Sequence, residues 1–272
     1  MTKSGNIETL FSLLDDENET VAVSAMKELL RHENEVPEYL AAFQEDDDPL
    51  VRRRVHQLQV VLYLRRSRRE FSRKLQSPFI DVPDCLLALH LLWFDNDVMP
   101  GVAQLWQDFA AAAGNYPLDS LEDLAYFMHK CNFRPMPEST LYPENYCMGT
   151  VLEKRVGAAS LLLVMLREVA SLRPLTLGRL LGEFVLQDES GRLLLPLRNW
   201  QIASVNNGQA LEYWDNRKFF TFAAYNLFSS AVNSDSFRYI LTLAQALNGT
   251  DGDGVLSALP YPYNPGKEKT AD

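Results

Sequence analysis

The segment GEFVLQDESGRLLLPL, Gly182–Leu197, carries the first residue that could do chemistry. It reads as two short apolar strands around a polar turn, and Glu183 stands at the mouth of the first strand. A carboxylate there could act as a general base, or it could anchor an arginine or lysine. Because one carboxylate without a placed nucleophile is a weak catalytic pattern, we interpret Glu183 as a strand-end acid paired with an arginine. The nearby candidates are Arg179, Arg192 and Arg198.

Cys147 is the second candidate, as a residual reactive thiol. It begins a helical pattern, and the N-terminus of a helix can lower the pKa of a thiol. No histidine stands near it in the sequence, although His129 could approach it through the fold. Its spacing matches no catalytic motif, so we interpret Cys147 as a buried small hydrophobic residue. We interpret Ser160 as a residue that satisfies a helix-start N–H group.

The cysteines and histidines indicate neither a metal nor a cofactor. Cys85, Cys131 and Cys147 are odd in number and have no CxxC spacing, which predicts reduced thiols instead of a disulfide framework or a zinc site. His90 lies inside an apolar run with no second ligand at helical spacing, so we predict a core histidine. We therefore expect no cofactor and no metal ligands.

The net charge of −10 hides a basic segment. Nine lysines and arginines and one acid lie between Arg52 and Lys74. On one helix these basic residues spread around most of the cylinder, whereas a nucleic-acid groove requires a single stripe. We favour a solvated helix whose arginines pair with neighbouring acids. The alternative is an anion or nucleic-acid site, and its candidate binding residues are Arg65, Arg66, Arg68 and Arg69.

Apolar runs in this sequence are too short for a membrane span, which needs about 18–20 residues. The N-terminal stretch MTKSGNIETLFSLLDDENE also lacks the apolar core of a signal peptide. We therefore expect a cytoplasmic protein without a membrane partner.

The N-terminal part of the chain, as far as Leu75, predicts two stacked helical hairpins. DDENETVAVSAMKEL (Asp15–Leu29) and EDDDPLVRRRVHQLQ (Glu45–Gln59) share an acidic turn followed by an amphipathic run, and Ala25 of the first falls on Val55 of the second. Neither hairpin could cover its apolar face alone, so the two should pack together. The pattern resembles HEAT-like repeats, and an ordinary helical bundle is the alternative.

Further along, the chain mixes helices, loops and the two strands. A helical region from Met148 is interrupted at Gly157, and a Pro-rich loop, CNFRPMPESTLYPENY, precedes it. The segment NWQIASVNNGQALEYWDN reads as a loop after the two strands. Two helices, KFFTFAAYNLFSSAV and SFRYILTLAQALN, then form a pair, and a Gly/Pro-rich tail with a DGDG turn follows.

The segment YPENYCMGTVLEKRVGAASLLLVMLREVA resembles the SirB-type transglutaminase-like family. The family pattern is YxDPRNSFLNEVLERRRGIPISLSVLYLEVA. It is matched at Tyr142, Pro143, Asn145, Val151, Leu152, Glu153, Arg155 and Gly157. GEF stands where the family has GHF, and LLPL stands where it has IDPF. LAYFMHKCNF and the closing helix pair, which is TPR-like in the family, extend the resemblance over residues 118–247.

This resemblance implies a cysteine nucleophile near the start of a buried helix, a histidine on one strand and an aspartate on the next, which meet in one site. The three places fall on Ala159, Glu183 and Leu195. The cysteine place is already not cysteine in the SirB-type pattern. A methyl group cannot attack a carbonyl and Leu195 cannot orient a base, so we predict vacant triad positions and no catalytic residues.

The predicted fold class is α+β and predominantly helical. We expect N-terminal HEAT-like helices over residues 1–76, connecting helices over 77–117, a transglutaminase-like core with a small antiparallel sheet over 118–215, a TPR-like helix pair over 216–248 and a flexible tail over 249–272.

Three functions compete on this basis. The first is a non-catalytic member of the family, a pseudoenzyme that binds a protein partner. The second is a residual hydrolase or acyl transferase that uses Cys147 or Glu183. The third is anion or nucleic-acid binding through Arg52–Lys74. The sequence favours them in that order.

Overall fold

The computed structural model describes residues 3–140, 142–204 and 210–249. The predicted tail beyond residue 249, with its DGDG turn, lies outside the described residues. Within them the chain forms eleven α-helices, a five-stranded antiparallel sheet and a separate strand pair. The predicted class, predominantly helical α+β, is confirmed.

Two compact units divide the chain, Met1–Arg66 and Ser67–Asp272. The division falls inside one helix, before the predicted end of the HEAT-like segment at residue 76. The second unit holds the connecting helices, the sheet and the C-terminal helix pair together. The finer boundaries and the repeat family of the first unit stay predictions.

The first unit contains helices at the predicted repeat positions. Its helices are α1 (Lys3–Ser12), α2 (Glu19–Leu29), α3 (Val36–Phe43) and the first part of α4 (Pro49–Gln76). The Asn18 side chain accepts a hydrogen bond from the Thr20 N–H and so caps α2. Residues at equivalent repeat positions, such as Ala25 and Val55, are buried in one apolar cluster. Either hairpin alone would leave the side chains of this cluster exposed to solvent.

The second unit has seven helices beyond α4. They are α5 (Val82–Trp93), α6 (Met99–Ala113), α7 (Leu121–Lys130), α8 (Met148–Lys154), α9 (Ala159–Val169), α10 (Asn216–Asn233) and α11 (Phe237–Asn248). Side chains of Asp81, Ser120 and Asp215 cap α5, α7 and α10 by accepting backbone N–H groups. The first eight residues of α9 are all buried, as the resemblance requires of its central helix.

The strands form two sheets. β1 (Arg134–Met136) pairs in parallel with β2 (Val156–Ala158). The five-stranded sheet has the order β6-β5-β4-β3-β7, and all its pairs are antiparallel. Its strands are β3 (Thr176–Leu180), β4 (Glu183–Gln187), β5 (Arg192–Leu195), β6 (Gln201–Ser204) and β7 (Glu212–Tyr213).

Only β4 and β5 were predicted as strands. They lie where expected, joined by a turn in which Gly191 takes a positive φ of 82°. The predicted loops contain β1, β6 and β7, so those expectations were wrong. The predicted interruption of the helical region at Gly157 is confirmed, and β2 forms there. These strands are short and show no clean alternation of burial. Tertiary pairing, not local pattern, makes them strands.

The two faces of the large sheet pack differently. Leu177, Phe184 and Leu194 belong to the main core, together with the residues of α9. Val185, Leu193 and Leu195 form a small separate cluster on the other face. Successive side chains of a strand point to opposite faces, so α9 meets only one of these two sets.

Candidate functional site

The N-terminus of α9 is the place where the resemblance implies a nucleophile. Strand β2 runs directly into the helix, and the residue at the cap position, Ala158, has no side chain that could accept a hydrogen bond. Glu138, which follows β1, supplies the acceptor instead. Its Oε1 accepts the Ser160 backbone N–H at 2.8 Å, and its Oε2 accepts the Tyr146 hydroxyl at 2.6 Å. We call these three residues the Glu138 cluster.

Burial and charge act in opposite directions on Glu138. Burial raises the pKa of its carboxyl group, while hydrogen bonds from Tyr146 and Ser160 and the charge of Arg179 lower it less strongly. Burial and the adjacent carboxylate also raise the pKa of the Tyr146 hydroxyl. The positive end of the α9 dipole favours a negative group at this place. The cluster is therefore a helix cap assembled from distant parts of the chain.

Ser160 is the one hydroxyl at the start of α9. It is fully buried, and its Oγ has no hydrogen-bond partner within the described part of the chain. We expected this residue to satisfy a helix-start N–H, but Glu138 takes that role. A nucleophilic serine needs a base that accepts its hydroxyl proton. Within the described residues, the hydrogen bonds resolved at the Glu138 carboxylate come from the Ser160 backbone N–H and the Tyr146 hydroxyl.

Two of the three predicted triad positions, Glu183 and Leu195, lie on the sheet face away from α9. Ala159 is the buried first residue of α9. Leu195 packs in the small cluster on the sheet face away from α9. Glu183 points to that same face, because its cross-strand partner Leu180 packs there and Val185 follows on the same side of β4. The expectation of one site at these positions was wrong, since from β4 it is Phe184 that faces the core with α9.

Glu183 forms the ion pair that we expected of it. Its Oε2 lies 3.7 Å from the Nε of Arg198, and both side chains are about half exposed to solvent. Arg192, another candidate, pairs with Asp188 and Glu122. Exposed pairs of this kind contribute little to stability, typically below about 1 kcal/mol.

Cys147 is buried in the main core, as predicted. Burial, with the negative charges of Glu144 and Asp97, raises the pKa of its thiol well above the ordinary value. Burial and these charges therefore oppose the activation that a helix N-terminus could give.

The histidines that could serve this thiol are engaged elsewhere. His90 is buried, its Nδ1 accepts the Gly149 N–H at 3.3 Å, and its Nε2 donates to Asp97 at 2.8 Å. His129 is exposed, and its Nε2 contacts the carbonyl oxygen of Asn199 at 3.0 Å. Both ring nitrogens of His90 are thus occupied, and His129 lies at the surface while the thiol of Cys147 is fully buried.

The four arginines proposed as a binding surface have different surroundings. In the first unit, Arg65 donates to the Leu30 carbonyl at 3.0 Å. In the second unit, Arg68 is buried and donates to the side-chain oxygen of Gln245. Arg66 and Arg69 are exposed. The four side chains therefore point toward different neighbours, as the predicted spread around the helix implies, but the buried Arg68 departs from a fully solvated helix. Binding through these four residues stays an untested alternative.

No group of three or more possible metal ligands occurs in the described ranges 3–140, 142–204 and 210–249. Over the same ranges, no helix is both long and apolar enough to cross a bilayer.

Comparison of the chain with protein-family models, with curated proteins and with solved structures gives no match. The resemblance to the SirB-type family thus stays a prediction that depends on the quoted motif residues.

No local motif marks Glu138 or Tyr146 as members of a site. The Glu138–Ser160 contact spans 22 positions of the sequence, across β2 and α8. The only local sign was the missing cap at Ala158, since a helix start without a Ser, Thr, Asp or Asn cap needs an acceptor from elsewhere.

Proposed function

We propose that this chain is a non-catalytic protein-interaction module of SirB-type transglutaminase-like ancestry. The Glu138 carboxylate carries this proposal. It occupies the positive end of α9, where that ancestry would place a nucleophile, and it is held there by Ser160 and Tyr146. A carboxylate of the protein that satisfies the helix start is a structural solution, and it takes the place that a reacting oxyanion would use.

The surroundings of the possible nucleophiles support the same proposal. Cys147 sits in apolar surroundings that raise the pKa of its thiol, so little thiolate forms near neutral pH. Glu183 is directed to the sheet face opposite α9 and pairs with Arg198. The alternative, a residual hydrolase, would need Cys147 or Glu183 to lie beside a second catalytic group.

Exposed aromatic side chains of the second unit support a protein partner. Tyrosine and phenylalanine are enriched where proteins bind one another, because they bury much area at low entropy cost. The largely exposed members are Phe79, Tyr126, Tyr142, Tyr213 and Tyr225. Helical hairpins such as those of the first unit also offer extended side-by-side surfaces for a partner.

A paired assay tests both halves of the proposal. Purified protein is incubated with thioester, ester and amide substrates, beside the variants Ser160→Ala, Cys147→Ala and Glu183→Gln. We expect no turnover above the uncatalysed rate in any sample. Turnover by the wild type that one of these variants loses, while its circular dichroism stays unchanged, would contradict the non-catalytic role.

The binding half requires a defined partner. Proteins retained by the tagged chain are expressed and mixed with it as purified components, and binding is measured by calorimetry. We expect saturable binding that the variants Ser160→Ala and Cys147→Ala leave unchanged. If no retained protein binds directly as a purified component, the interaction role is wrong.

A further inference from the structure

A basic cavity of about 540 Å³ lies in the second unit, on the side of β1 and β2 that meets the end of α7. Its lining includes Arg134, Lys154, Arg155 and His129, and no aspartate or glutamate among the described residues lines it. The floor includes Phe133 and Trp200, which are 3% and 2% exposed. Basic side chains over aromatic rings, with no acid in the lining, give this cavity a positive potential although the chain has a net charge of −10.

The two arginines are placed side by side by the backbone. The Arg134 N–H donates to the Arg155 carbonyl at 2.8 Å, next to the parallel pairing of β1 with β2. The Arg155 guanidinium lies 4.8 Å from the centroid of the Phe133 ring. Neither arginine has a carboxylate partner within the described residues, whereas Lys154 pairs with Glu144. Like charges held together without a carboxylate are stabilised by an external anion.

The backbone of the cavity is unusual as well. Asn132, Arg155, Asn199 and Trp200 have φ values of 58°, 57°, 55° and 59°, and all four line the cavity. These are four of the seven residues other than glycine that have positive φ in the described part of the chain. For Arg155 and Trp200 this conformation costs on the order of 1–3 kcal/mol, whereas asparagine adopts it more readily, and such strain gathers at functional sites.

The strained residues are fixed by specific contacts. The Trp200 indole N–H donates to the Phe133 carbonyl at 3.3 Å, and the Trp200 backbone N–H donates to the Pro196 carbonyl at 3.3 Å. At the end of α7 the Phe133 N–H donates to the Met128 carbonyl at 3.0 Å, which closes the helix with Asn132 in the left-handed position. These hydrogen bonds tie Trp200 and the end of α7 to the backbone around the cavity.

We propose that this cavity binds a phosphoryl group. The cavity has two arginines without carboxylate partners and a lysine that also pairs with Glu144. A ligand with a single negative charge would leave part of this positive charge unbalanced, whereas a phosphoryl group carries about −1.5 to −2 at neutral pH. The planar guanidinium fork of arginine also matches its oxygens. The group arrives either on a peptide or as free phosphate, and the proposal does not depend on the non-catalytic role.

Calorimetric titrations at one fixed ionic strength test the site. The probes are inorganic phosphate and a glycine-serine peptide with one phosphoserine, beside the same peptide with glutamate or plain serine at that position. We expect both phosphoryl probes to bind with saturation and the two control peptides to bind at least about tenfold more weakly. Tighter binding of the phosphopeptide than of phosphate identifies a peptide-borne group, and equal binding identifies the free anion.

Variants locate the binding. Arg134→Gln removes an exposed side chain and should weaken both phosphoryl probes by about tenfold, as loss of one charge-assisted hydrogen bond predicts. Arg155→Lys keeps the charge but loses the fork and should weaken them less. Arg53→Gln removes the same charge from an exposed position in the first unit and should change nothing.

Three outcomes would overturn the proposal. The first is no saturable binding at about 10 mM probe, where even a millimolar site fills. The second is equal weakening by Arg134→Gln and Arg53→Gln, which indicates general charge attraction. The third is equal binding of the glutamate peptide, which contradicts a phosphoryl preference. The non-catalytic role would stand in each case, because its assays use other residues.

Discussion

Two electropositive places in the second unit differ in where their anion comes from. At the start of α9, the chain provides the anion itself, since Glu138 accepts hydrogen bonds from Ser160 and Tyr146. At the basic cavity, Arg134 and Arg155 have no carboxylate within the described residues. At the start of α9 a carboxylate of the chain balances the positive potential, which stabilises the fold. At the cavity no carboxylate of the described residues balances it, so it can attract an anionic ligand.

The backbones of the two places differ in the same sense. The residues before α9 are extended and lead into a regular helix. The cavity instead combines four left-handed residues, among them Trp200, whose bulk makes this conformation costly. The backbone is thus regular at the start of α9, where Glu138 supplies the anion, and left-handed at the cavity, where the chain supplies none.

Thiol labelling should show the largest difference, between Cys131 beside the cavity and the buried Cys85 and Cys147. Burial raises the pKa of Cys85 to about 12, so its thiolate fraction falls by about a thousandfold, and burial raises the pKa of Cys147 well above the ordinary value. Cys131, next to the cavity residue Asn132, is partly exposed, and the charge of Arg155 partly offsets the pKa rise that burial causes. Mass spectrometry after iodoacetamide treatment of native protein should find Cys131 alkylated first. Faster labelling of Cys147 would reopen the hydrolase alternative.

Removal of the internal anion should be the costliest single change at either place. Glu138→Ala leaves the Ser160 N–H and the Tyr146 hydroxyl without their acceptor, and we expect a loss of about 3 kcal/mol in the free energy of unfolding. Urea denaturation measures it. Asp119→Ala, at an exposed carboxylate, is the matched control, and Arg134→Gln in the cavity should also stay within about 0.5 kcal/mol. A comparable loss in all three variants would remove the distinction between the two places.

The pH dependence of stability should have opposite signs at two carboxylates. Burial raises the folded pKa of Glu138, so its contribution to stability is greatest at acid pH and falls as pH rises through that pKa. At Asp188, burial raises the folded pKa, but hydrogen bonds from Ser190 and Arg192 lower it more, so the folded pKa lies below the ordinary value. The contribution of Asp188 to stability therefore falls as pH decreases through that pKa.

Urea denaturation across pH checks these signs. The wild type should lose stability relative to Glu138→Gln as pH rises, and relative to Asp188→Asn as pH falls. The same sign at both positions would contradict the rise of the Glu138 pKa in the folded protein.

Release of strain in the cavity should have the smallest effect on stability. In Arg155→Gly, glycine suits the left-handed position after α8, which gains about 1 kcal/mol, while the loss of the contact with Phe133 costs a similar amount. We expect the free energy of unfolding, measured by urea denaturation, to change by less than about 1 kcal/mol while phosphoryl binding is lost. A destabilisation above about 2 kcal/mol, more than the loss of one cation–π contact explains, would give the partly buried Arg155 a structural role instead.

Residues adjacent in sequence were predicted best. The helices of both units, the β4–β5 hairpin, the buried Cys147 and an arginine partner for Glu183 follow from local periodicity, turn residues and composition. The placement of Ala159, Glu183 and Leu195 in one site failed, because alignment to a motif does not determine toward which face each side chain points. A shift of register by a single position reverses that face in a strand.

The sequence by itself determined a helix-rich α+β chain with a hairpin of strands, because the hydrophobic periodicities of helices and strands are local properties. Only the tertiary structure decided that Glu138 caps α9 and that Arg134 lies beside Arg155 over an aromatic floor. Both arrangements join parts of the chain separated by about 20 residues or more, and contacts at such separation depend on how strands and helices pack. No local pattern encodes that packing.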